Sequence, residues 1–178
     1  MVNDFEVKVK NRKRHRITSL LVLGVILIVA ISSLLWYRAN GGFNGKGDKG
    51  RVYIEIRCDA LSKNMDALND QALRDYVPED GTILPRTEVE IVKGETSVFD
   101  VTDKVCRDME IQIEYSYAPG YGSHYVEGIN YLYEFSAGSY SGWLYSVDGD
   151  SPNYGADKVM LKGGEFIVWN YTVDYRND

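Results

Sequence analysis

One segment limits what this chain can be: the uncharged run Ile17–Tyr37, ITSLLVLGVILIVAISSLLWY, 21 residues long. As an α-helix it would extend about 31 Å, the thickness of a bilayer's hydrocarbon core. A helix pairs its backbone groups internally, which lipid demands of any single spanning segment. Trp36 and Tyr37 close the outer end, where amphipathic rings favour the lipid–water interface. Six Lys/Arg, from Lys8 to Arg16, precede the run and Arg38 alone adjoins its far end. The positive-inside bias therefore predicts a basic cytoplasmic tail over 1–16, a single-pass transmembrane anchor over 17–37 and an extracellular remainder. Attraction to anionic lipid is enough to explain the tail. A cleaved signal peptide is the alternative, with Ala30-Ile31-Ser32 as the cleavage site. The apolar run continues through Leu34, Leu35 and Trp36, which favours an uncleaved anchor.

Residues 38–50, RANGGFNGKGDKG, are Gly-rich and polar and read as a short flexible tether. Residues 51–178 read as one globular domain. Of the 20 basic and 26 acidic residues in the chain, 13 and 24 lie in 39–178, a net charge of −11. A domain so acidic repels phosphate backbones, which argues against nucleic acid as a partner.

Along the domain, Arg51–Cys58 alternates with Val52, Ile54, Ile56 and Cys58 on one face, a half-buried strand. Asn64–Tyr76 places Met65, Leu68, Ala72 and Leu73 at helical spacing, and Pro78 to Gly81 ends it. Thr87–Val92 reads as a second strand. Ser97 and Asp100 resemble a capping box, opening a helix that buries Val98, Val101, Val105 and Met109. Glu110–Tyr117 alternates again. Short strands are then predicted at Asn130–Phe135, Gly142–Val147, Lys158–Leu161 and Glu165–Val173, with turns at Val147-Asp148-Gly149 and Lys162-Gly163-Gly164. This order of elements is that of an α+β domain.

Specific motifs carry a family resemblance. They are Val52–Cys58, Pro78-Glu79-Asp80-Gly81-Thr82-Ile83-Leu84, Gly94-Glu95-Thr96-Ser97-Val98-Phe99-Asp100, Gly128-Ile129, Tyr140 to Gly149 (YSGWLYSVDG), Asn153-Tyr154-Gly155 and Leu161 to Tyr171 (LKGGEFIVWNY). Over roughly 51–173 the chain resembles DUF4430, a bacterial family of unknown function similar to the C-terminal domain of transcobalamin and intrinsic factor, the cobalamin carriers. The resemblance implies a β-grasp-like, transcobalamin C-terminal-type domain on a bacterial, Gram-positive surface, behind one N-terminal transmembrane helix. The carriers complete their cobalamin site with a helical barrel, for which this chain has no room, so a corrinoid ligand is implied only by analogy. Several bacterial relatives in the family carry cysteines near Ala137, Ala156 and Val173, and this chain has none there.

Cys58 and Cys106 are the only cysteines. In an oxidising compartment a disulfide between them is expected; two free buried thiols are the alternative. His124 alone cannot form a zinc site, and the sequence shows no hydrolase, phosphate-loop or dinucleotide motif, so neither an enzyme nor a cofactor is expected. Asp148-Gly149-Asp150-Ser151-Pro152-Asn153 gathers oxygen donors but lacks EF-hand spacing and reads as a solvated turn. Glu127, Glu134 and Glu165 could serve as an acid–base pair only if folding brought two of them together.

Fifteen aromatic residues fall from Tyr115 to Tyr175, and Tyr and Trp suit recognition surfaces. The candidate ligand-binding set is Tyr121, Tyr125, Tyr140, Trp143, Tyr145 and Tyr154; Trp143 is equally readable as core, and Trp169 better so. Two functions follow. One is a membrane-tethered module capturing a small molecule such as a corrinoid for a neighbouring transporter. The other is a structural or interaction module contacting a surface protein or wall polymer. A preformed aromatic pocket would favour the first, and a flat aromatic patch or open sheet edge the second.

Overall fold

A computed structural model of the protein describes residues 24, 26–33 and 47–177, in two compact units divided after Lys46. The expected basic tail, the rest of the expected anchor and residues 38–46 of the tether lie outside the described residues. In the first unit residues 26–33 are helical and exposed. Ser32 and Ser33 donate to the carbonyls of Val29 and Ala30 in the preceding turn. No helix among the described residues is long and apolar enough to cross a membrane.

The second unit is built on β1 (Lys49–Arg57), whose Val52, Ile54 and Ile56 are 0% exposed. The alternation read from the sequence is thus a buried face. β1 pairs antiparallel with β2 (Thr82–Val92) and parallel with β7 (Phe166–Thr172), which pairs antiparallel with β6 (Gly142–Val147). The order β2-β1-β7-β6 sets the first and last strands side by side and parallel at the centre of a mixed sheet, as a β-grasp requires. β2 begins five residues before the expected Thr87. Pro85 is tolerated because the register slips there: Ile54 faces Thr87 and Ile56 faces Leu84, so Pro85 and Arg86 together oppose Glu55.

Between β1 and β2 the expected helix over 64–76 does not form. A short helix α1 (Asp59–Lys63) is followed by two 3-10 turns, Met65–Ala67 and Gln71–Tyr76, with Leu68 extended between them. Polar side chains find better partners than a helix offers. Asp70 accepts from the Ala72 amide, and Asn69 donates its side-chain amide to the Phe135 carbonyl at 2.7 Å.

Helix α2 (Val98–Asp108) starts as expected: Ser97 accepts from the Asp100 amide while Asp100 accepts from the Ser97 amide. It buries Val98, Val101 and Val105; Met109 lies beyond its end and is 52% exposed, contrary to expectation. Trp169 of β7 donates Nε1–H to the buried Thr102 hydroxyl at 2.8 Å, and Thr102 donates to the Val98 carbonyl. The single polar group on that helix face is therefore satisfied twice.

A second, antiparallel sheet follows: β3 (Ile113–Ala118), β4 (Ser123–Ile129) and the two-residue β5 (Leu132–Tyr133). β4 was not anticipated, and the strand expected over 130–135 shrinks to β5. The strand expected over 158–161 is replaced by a 3-10 turn (Ala156–Lys158) and one bridge from Met160 to Ser97. Two aromatic side chains stitch the sheets together. Trp143 of β6 donates to the Leu132 carbonyl at 2.7 Å, and the fully buried Tyr171 of β7 donates to the Tyr133 carbonyl at 2.8 Å.

Candidate functional site

The outer face of the three-stranded sheet gathers exposed tyrosines and glutamates. A bulge between Glu114 and Tyr115 resets the register, so Tyr115 faces Val126 but Glu114 faces Gly128, leaving Glu127 as the extra residue. Tyr115 turns inward onto Phe99 (4.7 Å, edge to face). Gly128 is a glycine for a reason: a Cβ there would meet the Tyr133 ring at 2.7 Å, because that ring lies across it from β5. The Tyr133 hydroxyl donates to Glu114 at 2.7 Å and accepts from Gln112. Its pKa is pushed up to about 12, chiefly by the bond to Glu114. Tyr125 donates to Glu134 at 2.7 Å; burial first, then Glu134, Tyr175 and Glu127, raises its pKa as well.

The face continues onto the chain's C-terminal segment. The Tyr175 amide donates to the Tyr140 carbonyl, and their rings meet edge to face at 5.7 Å. The Arg176 guanidinium lies 3.5 Å from the centre of the Tyr140 ring and is held there by two bonds to Asp174, whose pKa falls to about 2. Tyr125, Tyr140 and Tyr175 are each 42–45% exposed, half apolar ring and half accessible tip. A hollow of about 460 Å³ on the loop between Glu134 and Tyr140, lined by Asn69, Phe135, Gly138 and Ser139, is shallow and open. The arrangement offers aromatic faces and carboxylates to a ligand lying across it.

A second cluster sits where β4 begins. His124 stacks on Phe99 (4.6 Å, 9°) and its Nδ1 lies 3.1 Å from Asp157. The same carboxylate accepts from the His124 amide and the Ser123 hydroxyl. Burial works to raise the Asp157 pKa, but these hydrogen bonds outweigh it and the pKa is lowered. The Ser123 hydroxyl bonds Asp157 and the His124 carbonyl but not the His124 ring, so the three do not form a nucleophile–base relay. They pin β4 to the 155–158 turn, where Gly155 lies so close that a Cβ would fall 1.5 Å from the Ser123 hydroxyl. Among the described residues no three His, Cys, Asp or Glu side chains converge as a metal site needs.

The expected ligand set is divided by the fold. Tyr125 and Tyr140 lie on the tyrosine–glutamate face. Tyr121 projects from the β3–β4 turn, 87% exposed, and Tyr154 is 56% exposed on the other cluster's side. Tyr145 packs on Trp169, donates to the Tyr154 carbonyl and has its pKa pushed up to about 12 by burial. Trp143 leaves the set: it is 7% exposed and edge-on to Tyr171, because the second sheet covers its side of β6 and Leu144 takes the outer side. The expected bridge is also absent. Cys58 and Cys106 are free, 0% exposed thiols, each pushed up to about 12 by burial in the apolar core. Glu127 and Glu134 are neighbours through a backbone bond, whereas Glu165 caps the Lys162 and Gly163 amides elsewhere. Asp148 takes part in a turn, accepting from the Phe166 amide. Sequence reading missed Glu114, Tyr175 and Arg176. Alternation marked Glu114 as outward, but nothing local brings the last residues onto β4.

Comparisons with known proteins bear on the fold. Residues 95–173 match the family model of DUF4430, a domain of unknown function. The resemblance read from the sequence is thereby shown over that stretch. The fold is similar to that of haptocorrin, solved in complex with Cbi, with a TM-score of 0.50 and 14% identity over 74% of this chain. This chain spans 28% of the haptocorrin chain. A protein of Ruminococcus gnavus ATCC 29149, provisionally described as metal-binding, aligns over 71% of this chain and 99% of its own at 11% identity and a TM-score of 0.41. No curated protein sequence matches the chain. The domain is thus a mixed α+β fold similar to a transcobalamin C-terminal-like domain.

Proposed function

We propose that this chain is a binding module that recognises its ligand across the open tyrosine–glutamate face. The observation that carries the reading is the convergence of Tyr125, Tyr140 and Tyr175 with Glu134 on one exposed surface. Such rings supply contact area at little conformational cost and a polar tip for orientation. The likeness to a protein solved with Cbi supports a small molecule of the corrinoid class as the ligand. That likeness covers a small part of the haptocorrin chain, and the face here is one wall, so a second body would have to close over the ligand.

The openness of the face favours a second reading, in which the partner is a surface protein or wall polymer and no small molecule is held. In both readings residues 17–37 tether the module to a membrane with the domain outside the cell and, in the first, a transporter nearby. The support for that placement is the apolar run and its flanking charges. The two readings separate on titrating the unit 47–178 with cobalamin and simpler corrinoids by calorimetry. Saturable one-to-one binding supports capture of a small molecule. No heat at high micromolar ligand leaves the interaction module as the account.

A further inference from the structure

We infer that the tyrosine–glutamate face takes a cationic polypeptide segment, whose Lys or Arg side chains displace Arg176 from the Tyr140 ring. This rests on reading that face as the binding surface. The first observation is charge. Some acids elsewhere are ion-paired, Glu88 with Arg51, Glu90 with Lys49, Asp103 with Arg107 and Asp108 with Lys104, and others, Glu79, Glu95 and Glu110 among them, have no such partner within the described residues. On this face Glu114, Glu127 and Glu134 have no basic partner among the described residues, and Glu114 and Glu134 accept only from tyrosine hydroxyls. The second observation is independent of the carboxylates. A guanidinium already lies on the face, 3.5 Å from the centre of the Tyr140 ring, and it comes from the chain's own C-terminal segment. Arg176 carries its own counter-ion, Asp174, so it covers a ring without neutralising the glutamates. An incoming cation without such a partner gains both the ring and the carboxylates.

The spacing argues for a segment and not a point charge. The carboxylates come from β3, from β4 and from the residue after β5, and no three of them converge on a common centre. A metal ion is therefore poorly served, whereas several cationic side chains, their stems lying on tyrosine rings between them, can each meet one carboxylate.

The test uses the unit 47–178, whose buried core is self-contained, and a synthetic arginine–serine repeat peptide followed by fluorescence anisotropy at near-physiological salt. Glu114→Gln, Glu127→Gln and Glu134→Gln are combined in one protein. Glu79→Gln, Glu95→Gln and Glu110→Gln, all exposed and away from the face, are combined in a charge-matched control. The inference expects the first to weaken binding by about tenfold or more, the control to change it by less than about twofold, and Arg176→Ala to tighten it. Equal losses in both triple variants would reduce the effect to net charge and overturn it. Looser binding in Arg176→Ala, or full competition by tetramethylammonium alone, would overturn it too. If Tyr125→Ala with Tyr140→Ala abolishes binding while the glutamate triple does not, the face binds and only the cationic inference fails. If neither set alters binding of peptide or corrinoid, the reading of the face itself fails.

Discussion

Replacing Trp143 by alanine should cost stability and leave ligand recognition alone. The side chain is 7% exposed, sits edge-on to Tyr171 at 5.2 Å, and donates to the Leu132 carbonyl at 2.7 Å. Truncating a buried Trp removes about 3–5 kcal/mol. Within that sum, the aromatic pair accounts for about 0.5–1.5 kcal/mol. Orphaning the Leu132 carbonyl accounts for about 1–3 kcal/mol. Against a total stability of about 5–15 kcal/mol, this is about a fifth or more of the margin. At about 4 °C per kcal/mol for a domain of this size, the melting temperature of the unit 47–178 should fall by about 12–20 °C. Trp143→Phe keeps the ring contact and loses the donor, and should fall by about a third as much. Urea unfolding followed by far-UV circular dichroism and by Trp169 fluorescence measures both. A Trp143→Ala protein that melts within about 2 °C of the parent yet no longer binds ligand would refute the assignment and return Trp143 to the site.

Three further outcomes follow from the same structure. Both thiols should be inert to a thiol reagent at pH 8 in the native unit and react stoichiometrically on unfolding, since burial raises each to about 12; a bridged protein would give no thiol even when unfolded. Tyr133 is held neutral by Glu114, so its folded pKa, about 12, exceeds the unfolded value of about 10. The stability this brings is complete below pH ~10 and is lost as pH rises through ~12; the parent's advantage over Tyr133→Phe in urea unfolding should therefore be largest below pH ~10 and shrink towards pH ~12, as read by circular dichroism. Gly155→Ala should destabilise by about 2 kcal/mol or more, because its Cβ would meet the Ser123 side chain, and Ser123→Gly in the same chain should recover part of the loss.

Local signals explain what could be read ahead of the fold. β1 alternates strictly, α2 carries its own capping box, and β6 and β7 are bounded by turns whose Asp148, Gly149, Gly163 and Gly164 adopt the positive φ their sequence suggests. Where long-range contacts decide, the sequence was silent or misleading. The helical spacing over 64–76 lost to Asn69 and Asp70, which bond elsewhere. β4 was hidden because its bulge at Glu127 breaks the alternation. Tyr115 turns inward while Tyr125 and Tyr133 turn outward. Trp143 could be core or surface until the second sheet was seen to cover it. The Tyr140–Tyr175–Arg176 group depends on the C-terminal segment returning to the loop before β6, which no local pattern announces.

The central claim is that recognition runs through the tyrosine–glutamate face. The direct measurement is a calorimetric titration of two double variants of the unit 47–178, with whichever of corrinoid or cationic peptide the parent binds. Tyr125→Ala with Tyr140→Ala strips the proposed face, and Tyr121→Ala with Tyr154→Ala strips two exposed tyrosines outside it; both should melt near the parent temperature. The account predicts that the first pair abolishes saturable binding and the second leaves it within about twofold. Loss of binding in the second pair alone would contradict it and move recognition to the His124 side of the domain.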